Sequence, residues 1–257
     1  MSIPSPRIGC VPYLNGRPLL EGLSIPIRKL VPAKLGEAFQ VGELDVALLS
    51  SIDVIIQENP HAVDGVSISS RGDVHSVVLA YEGDLKEVKR VVLDPASHTS
   101  NALLRIVLEE FHGISPEYVH SLDGEAKESA RVMIGDPAIL YRKEASGSSG
   151  LETRFLDLGG EWFRNTGLSF VFAMWSLKSD YTYKKELSDM LRSAKELGMA
   201  SRPEIATGEP DPDFALHYLT ESIHYDLGDE EKGGLALFRE FLEKKEITKF
   251  HKEIIYY

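Results

Sequence analysis

The first fifty residues alternate between short apolar runs and stretches of mixed polarity. Residues 7–11, 27–31 and 45–49 are short runs in which Ile, Val and Leu recur, a pattern typical of strands. Residues 32–41 carry apolar side chains at helical spacing and are predicted to form a helix, and Pro18 suits the first turn of an earlier helix. This order of strands and helices predicts a parallel sheet with right-handed crossovers.

The same alternation restarts farther along the chain and then gives way to helices. Further predicted strands are residues 74–81, 91–93, 131–134, 155–158 and 170–177. An amphipathic helix that ends at Phe111 separates the second and third of these, and helices are predicted from Tyr183 to the end. The chain is therefore predicted to hold two α/β units followed by helices.

The order of these elements predicts a two-lobed α/β protein in which the second unit is inserted into the first. We expect lobe 1 to comprise residues 1–75 and 173–257, including the C-terminal helices, and lobe 2 to comprise residues 76–172. The two chain crossings are expected near residues 72–76 and 167–174. Two open α/β sheets that face each other bind ligands at the carboxyl ends of their strands, so we predict a cleft between the lobes.

Composition points to an ordinary globular protein. Hydrophobic residues make up 43% of the 257 residues and charged residues 26%. The sequence has no apolar run near the ~20 residues of a transmembrane helix, and its start lacks the pattern of a signal peptide. Cys10 is the only cysteine, which excludes an internal disulfide. We therefore expect a cytoplasmic location.

The charge balance narrows the possible partners. Asp and Glu number 40 against 28 Lys and Arg, for a net charge of −12. This charge repels phosphate backbones and anionic lipids, so neither nucleic acid nor membrane is an expected partner. A small anionic ligand would have to be held by local donors such as helix N-termini, hydroxyls or a single Arg.

Three hydroxyl side chains, Ser97, Thr99 and Ser100, lie between a predicted strand and a predicted helix. Such residues favour the N-cap position, but three in four residues exceed what one cap needs. Hydroxyls and free amides at the positive end of a helix also bind anions, so we interpret this segment as an anion site. Asp136, by contrast, precedes Pro137 and is explained as an N-cap followed by a first-turn proline.

Ser76 and Asn15 are the polar candidates at the predicted cleft. Within the predicted strand, Ser76 shares a face with Val74 and Val78, while His75 points to the opposite face. Asn15 follows the first strand, where a turn or cap role and a ligand role are equally compatible with its position.

Other candidate chemistry is sparse. Arg71 is compatible either with an ion pair at the bend that contains Asp73 or with binding a carboxylate. The Walker loop and the patterns G-x-G-x-x-G, H-E-x-x-H and G-x-S-x-G are absent, and the eight His lack metal-ligand spacing. The sequence therefore predicts neither a metal site nor a familiar nucleophile.

Several stretches, taken together and in order, resemble the chorismate dehydratase family, which belongs to the futalosine route to menaquinone. They are Arg7-Ile8-Gly9 with Tyr13-Leu14-Asn15-x-x-Pro18-Leu19, Gly42-Glu43-Leu44-Asp45-Val46-Ala47 with Ser50-Ser51, Ser69-Ser70-Arg71-Gly72-x-Val74-x-Ser76-Val77, Ser97-x-Thr99-Ser100, Ile134-Gly135-Asp136, and Glu161-Trp162 with Thr166-Gly167-Leu168-x-Phe170-Val171-Phe172. Each motif is weak alone, but the ordered set covers about residues 7–178 at family-like spacing. One departure from the family pattern is that Gly16 and Arg17 follow Asn15, where a small polar residue and then an aliphatic or basic residue are expected. The residues that form this edge of the site are therefore not assigned from the resemblance.

The resemblance implies a type II periplasmic-binding-protein-like fold that acts as a cofactor-free enzyme on a small dianionic substrate. The reaction implied is loss of water from chorismate to give 3-[(1-carboxyvinyl)oxy]benzoate. The catalytic residues implied are Asn15 and Ser76, and the substrate-binding residues implied are Ser97, Thr99, Ser100, Ser51 and Arg71. The oligomeric state stays open.

The chemistry agrees with a site that has no strong protein base. Loss of water makes the substrate ring aromatic, so the enzyme needs positioning and modest proton transfer. A substrate carboxylate is one candidate proton acceptor, and the identity of the acceptor stays open. Two alternatives are a 1,4-dihydroxy-6-naphthoate synthase of the same route, which we expect to have a different opening and a His base, and a non-catalytic intracellular binding protein for a small carboxylate.

Overall fold

The computed structural model describes residues 5–121, 129–147, 153–250 and 252–257. Its strands in these ranges are β1 (Ile8–Cys10), β2 (Ile27–Lys29), β3 (Val46–Ser50), β4 (His61–Ser70), β5 (Val77–Glu82), β6 (Arg90–Val92), β7 (Glu117–Val119), β8 (Ser129–Ile134), β9 (Thr153–Asp157), β10 (Phe170–Leu177) and β11 (Ile255–Tyr256). The α-helices are α1 (Pro32–Gln40), α2 (Ser51–Ile55), α3 (His98–Ile106), α4 (Gly135–Gly147), α5 (Leu158–Thr166), α6 (Lys184–Thr207), α7 (Pro212–His217) and α8 (Asp229–Lys244). Shorter segments are the 3-10 helices Leu14–Leu20 and Leu85–Glu87 and the π-helical turns Val107–Phe111 and Tyr218–Ser222.

The first sheet has the strand order β11-β4-β10-β3-β1-β2. Strand β1 lies parallel to β2 and to β3, with Ile8 beside Ile27 on one side and Val46 on the other. Every residue of β1 and β3 is buried, as expected for central strands covered on both faces. Strand β10 runs antiparallel between β3 and β4, so the predicted parallel arrangement holds for the first three strands and the complete sheet is mixed.

The second sheet has the strand order β7-β6-β8-β5-β9. Strand β6 is parallel to β7 and β8, whereas β5 is antiparallel to β8 and β9. Helices α3 and α4 pack against β8, and α5 packs against β5 and β9. The residues between β5 and α5 therefore form their own α/β unit.

The chain passes between the two sheets twice. It leaves the first sheet at Ser70, the end of β4, and enters the second at Val77, the start of β5. It returns after α5, and β10 then begins at Phe170 and pairs with β3 and β4. The boundary expected between residues 172 and 173 thus falls inside a strand of the first sheet, and we propose instead that lobe 2 ends within residues 167–169.

The helices after residue 183 cover the first sheet. Helix α6 packs against β4 and against the 3-10 helix Leu14–Leu20, and α8 packs against β10. Gly198 of α6 allows this approach, because a Cβ atom there would lie 1.7 Å from the carbonyl oxygen of Pro18. Helix α6 therefore holds the segment that follows β1 in place. Among the described residues, no helix combines the length and the apolar character needed to cross a membrane.

Candidate active site

A cavity of about 60 Å³ lies between the two sheets. Its polar lining residues are Tyr13, Asn15, Ser50, Ser76, Ser97 and Ser100. Its other lining residues are Val11, Pro32, Leu48, Ile68, Val74, Val77, Ile134, Gly135, Phe172 and Ala173. In the described part of the chain no lining residue carries a formal charge, so an anion bound here depends on hydroxyls, amides and backbone N–H groups.

Helix α3 presents its N-terminus to this cavity. Ser97 is the N-cap: its Oγ accepts a hydrogen bond from the Ser100 N–H at 3.2 Å and donates one to Ser100 Oγ at 3.0 Å. One hydroxyl therefore caps the helix, and the hydroxyl proton of Ser100 remains available. The first N–H groups of a helix lack partners within it and attract negative charge, so this end of the cavity is built for an anion.

Thr99 joins the two lobes instead of lining the cavity. Its Oγ1 accepts a hydrogen bond from the Ile52 N–H at 2.9 Å and donates one to Ser50 Oγ at 3.0 Å. Ile52 lies in the first turn of α2, so Thr99 also satisfies a free N–H group at that helix end. Both hydrogen bonds of the Thr99 hydroxyl are made across the cleft, which leaves it no direct role towards a ligand in this closed arrangement.

A second contact beside Thr99 also crosses the cleft. The Nδ1 atom of His98 lies 2.9 Å from Asp53 Oδ1, and Asp53 Oδ2 accepts a hydrogen bond from Ser50 Oγ at 2.7 Å. The hydrogen bond to Asp53 raises the pKa of His98, with further attraction from the charges of Asp53 and Glu37, although partial burial opposes it. This rim of the cleft is therefore closed by a connected set of hydrogen bonds that includes an ion pair when His98 is protonated.

Ser76 and Asn15 meet at a buried phenol. The Tyr218 O–H donates to Ser76 Oγ at 2.8 Å, and the Asn15 side chain is a second hydrogen-bond partner of the same phenol. Asn15 Oδ1 is buried and has no hydrogen-bond partner in the described residues. Burial raises the pKa of Tyr218 well above its ordinary value, although its hydrogen bonds with Ser76 and Asn15 oppose this shift. Tyr218 is therefore a neutral hydroxyl behind two cavity-lining side chains.

Ser76 does not lie in a strand, so the strand alternation predicted for residues 74–81 is wrong at its start. The Ser76 N–H bonds to the Val74 carbonyl at 2.7 Å, and His75 has a left-handed φ of 61°. The cause is Asp157, whose carboxylate accepts the N–H groups of Val74 at 3.0 Å and His75 at 2.7 Å and so holds a tight turn. His75 is absent from the cavity lining and lies against Phe214, and burial lowers its pKa.

The structure places the remaining candidates, Ser51 and Arg71, away from the cavity lining. Ser51 is buried, and its Oγ donates to the Val171 carbonyl at 2.5 Å. The Arg71 side chain is 54% exposed; its Nε lies 3.2 Å from a Glu230 carboxylate oxygen, and its guanidinium lies over the Phe163 ring. Both residues are therefore engaged in structural contacts. For Arg71 this is the ion-pair role considered from the sequence, but its partner is Glu230 and not Asp73.

Asp136 contacts the opposite lobe. The sequence suggested that Asp136 is the N-cap of a helix. In the structure it is instead the second residue of α4. Its carboxylate accepts the Leu14 N–H at 3.0 and 3.2 Å, which satisfies the start of the 3-10 helix Leu14–Leu20. Burial raises its pKa, and the hydrogen bond from Leu14 opposes that shift. Beside it, the Tyr13 ring packs on Gly135, where a Cβ atom would lie 2.8 Å from the ring.

Sequence reasoning missed three polar contributors to the site: Tyr13, Ser50 and Tyr218. Tyr13 and Ser50 stand inside the motifs that carry the family resemblance, so their position beside a strand end was an available signal. Tyr218 lies 142 residues from Ser76 in the sequence, in a region where the motifs had ended. Its π-helical turn is a type of local irregularity often found at functional sites, but the sequence pattern does not reveal it.

Comparison with known folds shows the architecture. The periplasmic aliphatic sulphonate binding protein of Escherichia coli superposes with a TM-score of 0.63 at 18% identity, covering 97% of this chain and 96% of that protein. This likeness confirms the predicted fold class, a two-lobed α/β protein of the periplasmic-binding-protein type.

Comparison with known sequences shows the family. A chorismate dehydratase of Thermus thermophilus is 32% identical, covering 91% of this chain and 94% of that protein. A chorismate dehydratase of Campylobacter jejuni is 28% identical, covering 88% of each. The predictions of this family and of an enzyme of the dehydratase class are therefore confirmed. Residues 6–244 also match the family model described as menaquinone biosynthesis, and the chain belongs to that family.

Proposed function

We propose that this protein removes water from chorismate to give 3-[(1-carboxyvinyl)oxy]benzoate, on the futalosine route to menaquinone. The observation that carries the proposal is the composition of the cavity between the sheets. Asn15 and Ser76 line it together with Ser97 and Ser100 at the start of α3, and the described lining holds no charged side chain. This arrangement suits a small anion whose reaction needs orientation more than strong acid–base chemistry.

The anion end of the cavity binds one carboxylate of chorismate. Free N–H groups in the first turn of α3 and the hydroxyl of Ser100, which is oriented by the hydrogen bond from Ser97, supply hydrogen-bond donors without a formal charge. Such donors are best placed on the carboxylate conjugated with the ring, because negative charge grows there during the reaction. The protein as a whole carries a net charge of −12, so this local arrangement works against an unfavourable global field.

The reaction breaks two bonds on adjacent ring carbons. The C–H bond beside the enol ether breaks first, and its electron pair moves into the ring and onto the conjugated carboxylate. The neighbouring C–O bond then breaks, and its electron pair leaves on hydroxide, which combines with the released proton to form water. The ring becomes aromatic, and this gain drives the elimination with modest help from the protein.

The substrate supplies the proton acceptor in this proposal. Two carboxylates that contact neighbours of the cavity-lining residues already accept hydrogen bonds: Asp136 accepts the Leu14 N–H, and Asp157 accepts those of Val74 and His75. The carboxylate of the enolpyruvyl side chain of chorismate lies on the same molecule as the acidic C–H bond, so an intramolecular transfer has a high effective concentration. Asn15 and Ser76 then orient the ring and the departing hydroxyl.

The test is incubation of the purified protein with chorismate, followed by loss of the diene absorbance and mass analysis of the product. We expect one equivalent each of the aromatic ether and water, with no added cofactor. Tight chorismate binding without turnover would instead indicate a binding protein. Turnover of the cyclic futalosine product with no action on chorismate would indicate a 1,4-dihydroxy-6-naphthoate synthase. Either result would overturn the proposal.

A further inference from the structure

Tyr218 lies directly behind the cavity and contacts both of the side chains proposed for catalysis. It is fully buried at 0% exposure, in the first position of the π-helical turn Tyr218–Ser222. Its ring stacks on Phe214 at 6.0 Å with an interplanar angle of 10°. The position of its hydroxyl is therefore set by packing, and this rigid hydroxyl reaches Ser76 Oγ at 2.8 Å.

The contacts of this phenol determine which way each hydrogen bond points. An amide nitrogen only donates, so the Asn15 N–H group donates to the Tyr218 oxygen. The phenol has one proton, and it is given to Ser76 Oγ. Asn15 uses its nitrogen towards the phenol, and its Oδ1 is buried without a partner in the described structure. Ser76 uses its oxygen as an acceptor, so its hydroxyl proton is free to point into the cavity that it lines.

We propose that Tyr218 is a positioning residue that makes Ser76 a hydrogen-bond donor and Asn15 a hydrogen-bond acceptor towards one hydroxyl group of the substrate. This inference rests on the proposed function, in which that group is the departing hydroxyl. Its oxygen accepts from Ser76, and its proton is donated to Asn15 Oδ1. A hydroxyl has one proton and accepting lone pairs, so it matches a donor and an acceptor placed side by side, whereas a carboxylate has no proton for Asn15.

This assignment explains why a buried amide oxygen is left without a partner. An unsatisfied buried acceptor destabilises the free protein, and a ligand that donates to it recovers that loss on binding. Discrimination of this kind is strong, because an analogue that lacks the hydroxyl leaves the buried acceptor unpaired. The site therefore selects for a hydroxyl at the position where Asn15 and Ser76 converge.

The experiment compares Tyr218→Phe with the matched control Tyr225→Phe. Tyr225 is also a buried tyrosine, but its hydroxyl has no hydrogen-bond partner in the described residues. With chorismate as substrate, we expect kcat of Tyr218→Phe to fall roughly 10- to 100-fold with KM changed by less than about threefold. Tyr225→Phe should retain wild-type kcat. The affinity for the aromatic product, which lacks the departing hydroxyl, should stay the same in both variants.

A double variant separates positioning from a structural role. If Tyr218 acts through Ser76, then adding Tyr218→Phe to the Ser76→Ala variant should lower kcat by a much smaller factor than the same substitution does in the wild-type protein. Wild-type kcat in folded Tyr218→Phe, an equal loss of product affinity, or strictly additive losses would each overturn the inference. If Tyr218→Phe does not fold, Asn15→Asp replaces the test: it keeps the shape but removes the amide donor to the phenol, and an unchanged kcat would overturn the inference.

Failure of the proposed function gives a different result. A wild-type protein that binds the product but does not consume chorismate overturns the proposed reaction, whatever the variants do. A wild-type protein that consumes chorismate, with Tyr218→Phe indistinguishable from it, overturns the role of Tyr218 alone. The melting temperature of every variant is measured beside its kinetics, so that a loss of fold is not read as a loss of positioning.

Discussion

Two groups of polar side chains at the cleft differ in how far their hydrogen bonds are already satisfied. The rim group consists of Ser50, Asp53, His98 and Thr99. Its members bond to one another across the two lobes, and Thr99 also accepts the Ile52 N–H. Nothing in this group needs a ligand to complete it.

The inner group consists of Asn15, Ser76 and Tyr218. These side chains also bond to one another, but the chain of hydrogen bonds ends at the cavity with a buried Asn15 oxygen that has no partner among the described residues. Buried polar groups are nearly always paired, so an open one that faces a cavity marks the place of a ligand. Both groups are built from the same kinds of side chain, and the difference lies in which bonds remain to be made. We infer that the rim group sets how well the cleft closes and that the inner group sets how fast the closed complex reacts.

The largest effect is expected in the inner group. Ser76→Ala or Asn15→Ala removes a group that we propose contacts the reacting part of the substrate, and we expect kcat to fall roughly 100-fold, the scale for losing one positioned hydrogen bond at a reacting centre. Steady-state kinetics on chorismate measure this. Ser188→Ala is the control, because Ser188 is a buried serine whose hydroxyl has no partner in the described structure and which lies outside the cavity. Full activity in both cavity variants would show that the site is placed wrongly.

A smaller effect of a different kind is expected in the rim group. Thr99→Val keeps the shape of the side chain but removes its hydrogen bonds to Ser50 and Ile52 across the cleft. Leaving the Ile52 N–H without a partner in the closed form costs roughly 1–3 kcal/mol. We expect KM to rise about tenfold, since about 1.4 kcal/mol is a factor of ten in affinity, while kcat at saturation changes little.

Two further measurements test the closure role of Thr99. Thr99→Ser keeps the hydroxyl and should restore most of the wild-type KM. Small-angle scattering of Thr99→Val without ligand should show a larger radius than the wild type, because the open form is favoured. A fall in kcat as large as that of Ser76→Ala, with KM unchanged, would place Thr99 with the inner group after all.

The comparison also shows where sequence reasoning reached its limit. The strands at residues 8–10, 27–29 and 46–50 could be predicted because apolar runs and turns are local signals. The hydroxyl pattern after β6 correctly predicted a helix N-terminus, since Ser97 caps α3. Which hydroxyl faces the cavity could not be predicted, because that depends on the opposite lobe: Thr99 meets Ser50, 49 residues away in sequence.

Ser76 shows the same limit for backbone geometry. The apolar alternation that includes it suggested a strand, but the carboxylate of Asp157, 82 residues beyond His75, holds the turn that precedes β5. Tyr218 lies beyond the motifs altogether and reaches Ser76 through tertiary packing. Distant contacts of this kind override local propensity, and no single-sequence pattern contains them.

The smallest effect is expected from pH, through His98 in the rim group. The hydrogen bond to Asp53 raises the pKa of His98, and Glu37 on α1 adds attraction, although Glu37 is itself paired with Lys34. A raised pKa means that the closed form is stabilised while His98 is protonated. This stabilisation is fully present below about pH 6.5, the ordinary value for histidine, and is lost as the pH rises through the raised pKa. KM for chorismate should therefore be lower at acidic than at alkaline pH.

The size of this effect is limited because the His98 side chain is 57% exposed, so solvent and salt screen the pair with Asp53. An exposed ion pair contributes roughly 0–1 kcal/mol, which predicts a rise in KM of less than about fivefold across the transition. His98→Gln keeps a hydrogen-bond donor towards Asp53 but does not titrate, so its KM should be nearly flat over the same range. Raising the salt concentration should flatten the wild-type profile in the same way. A pH dependence that persists undiminished in His98→Gln would assign it to another group, and the rim would then close the cleft through its neutral hydrogen bonds alone.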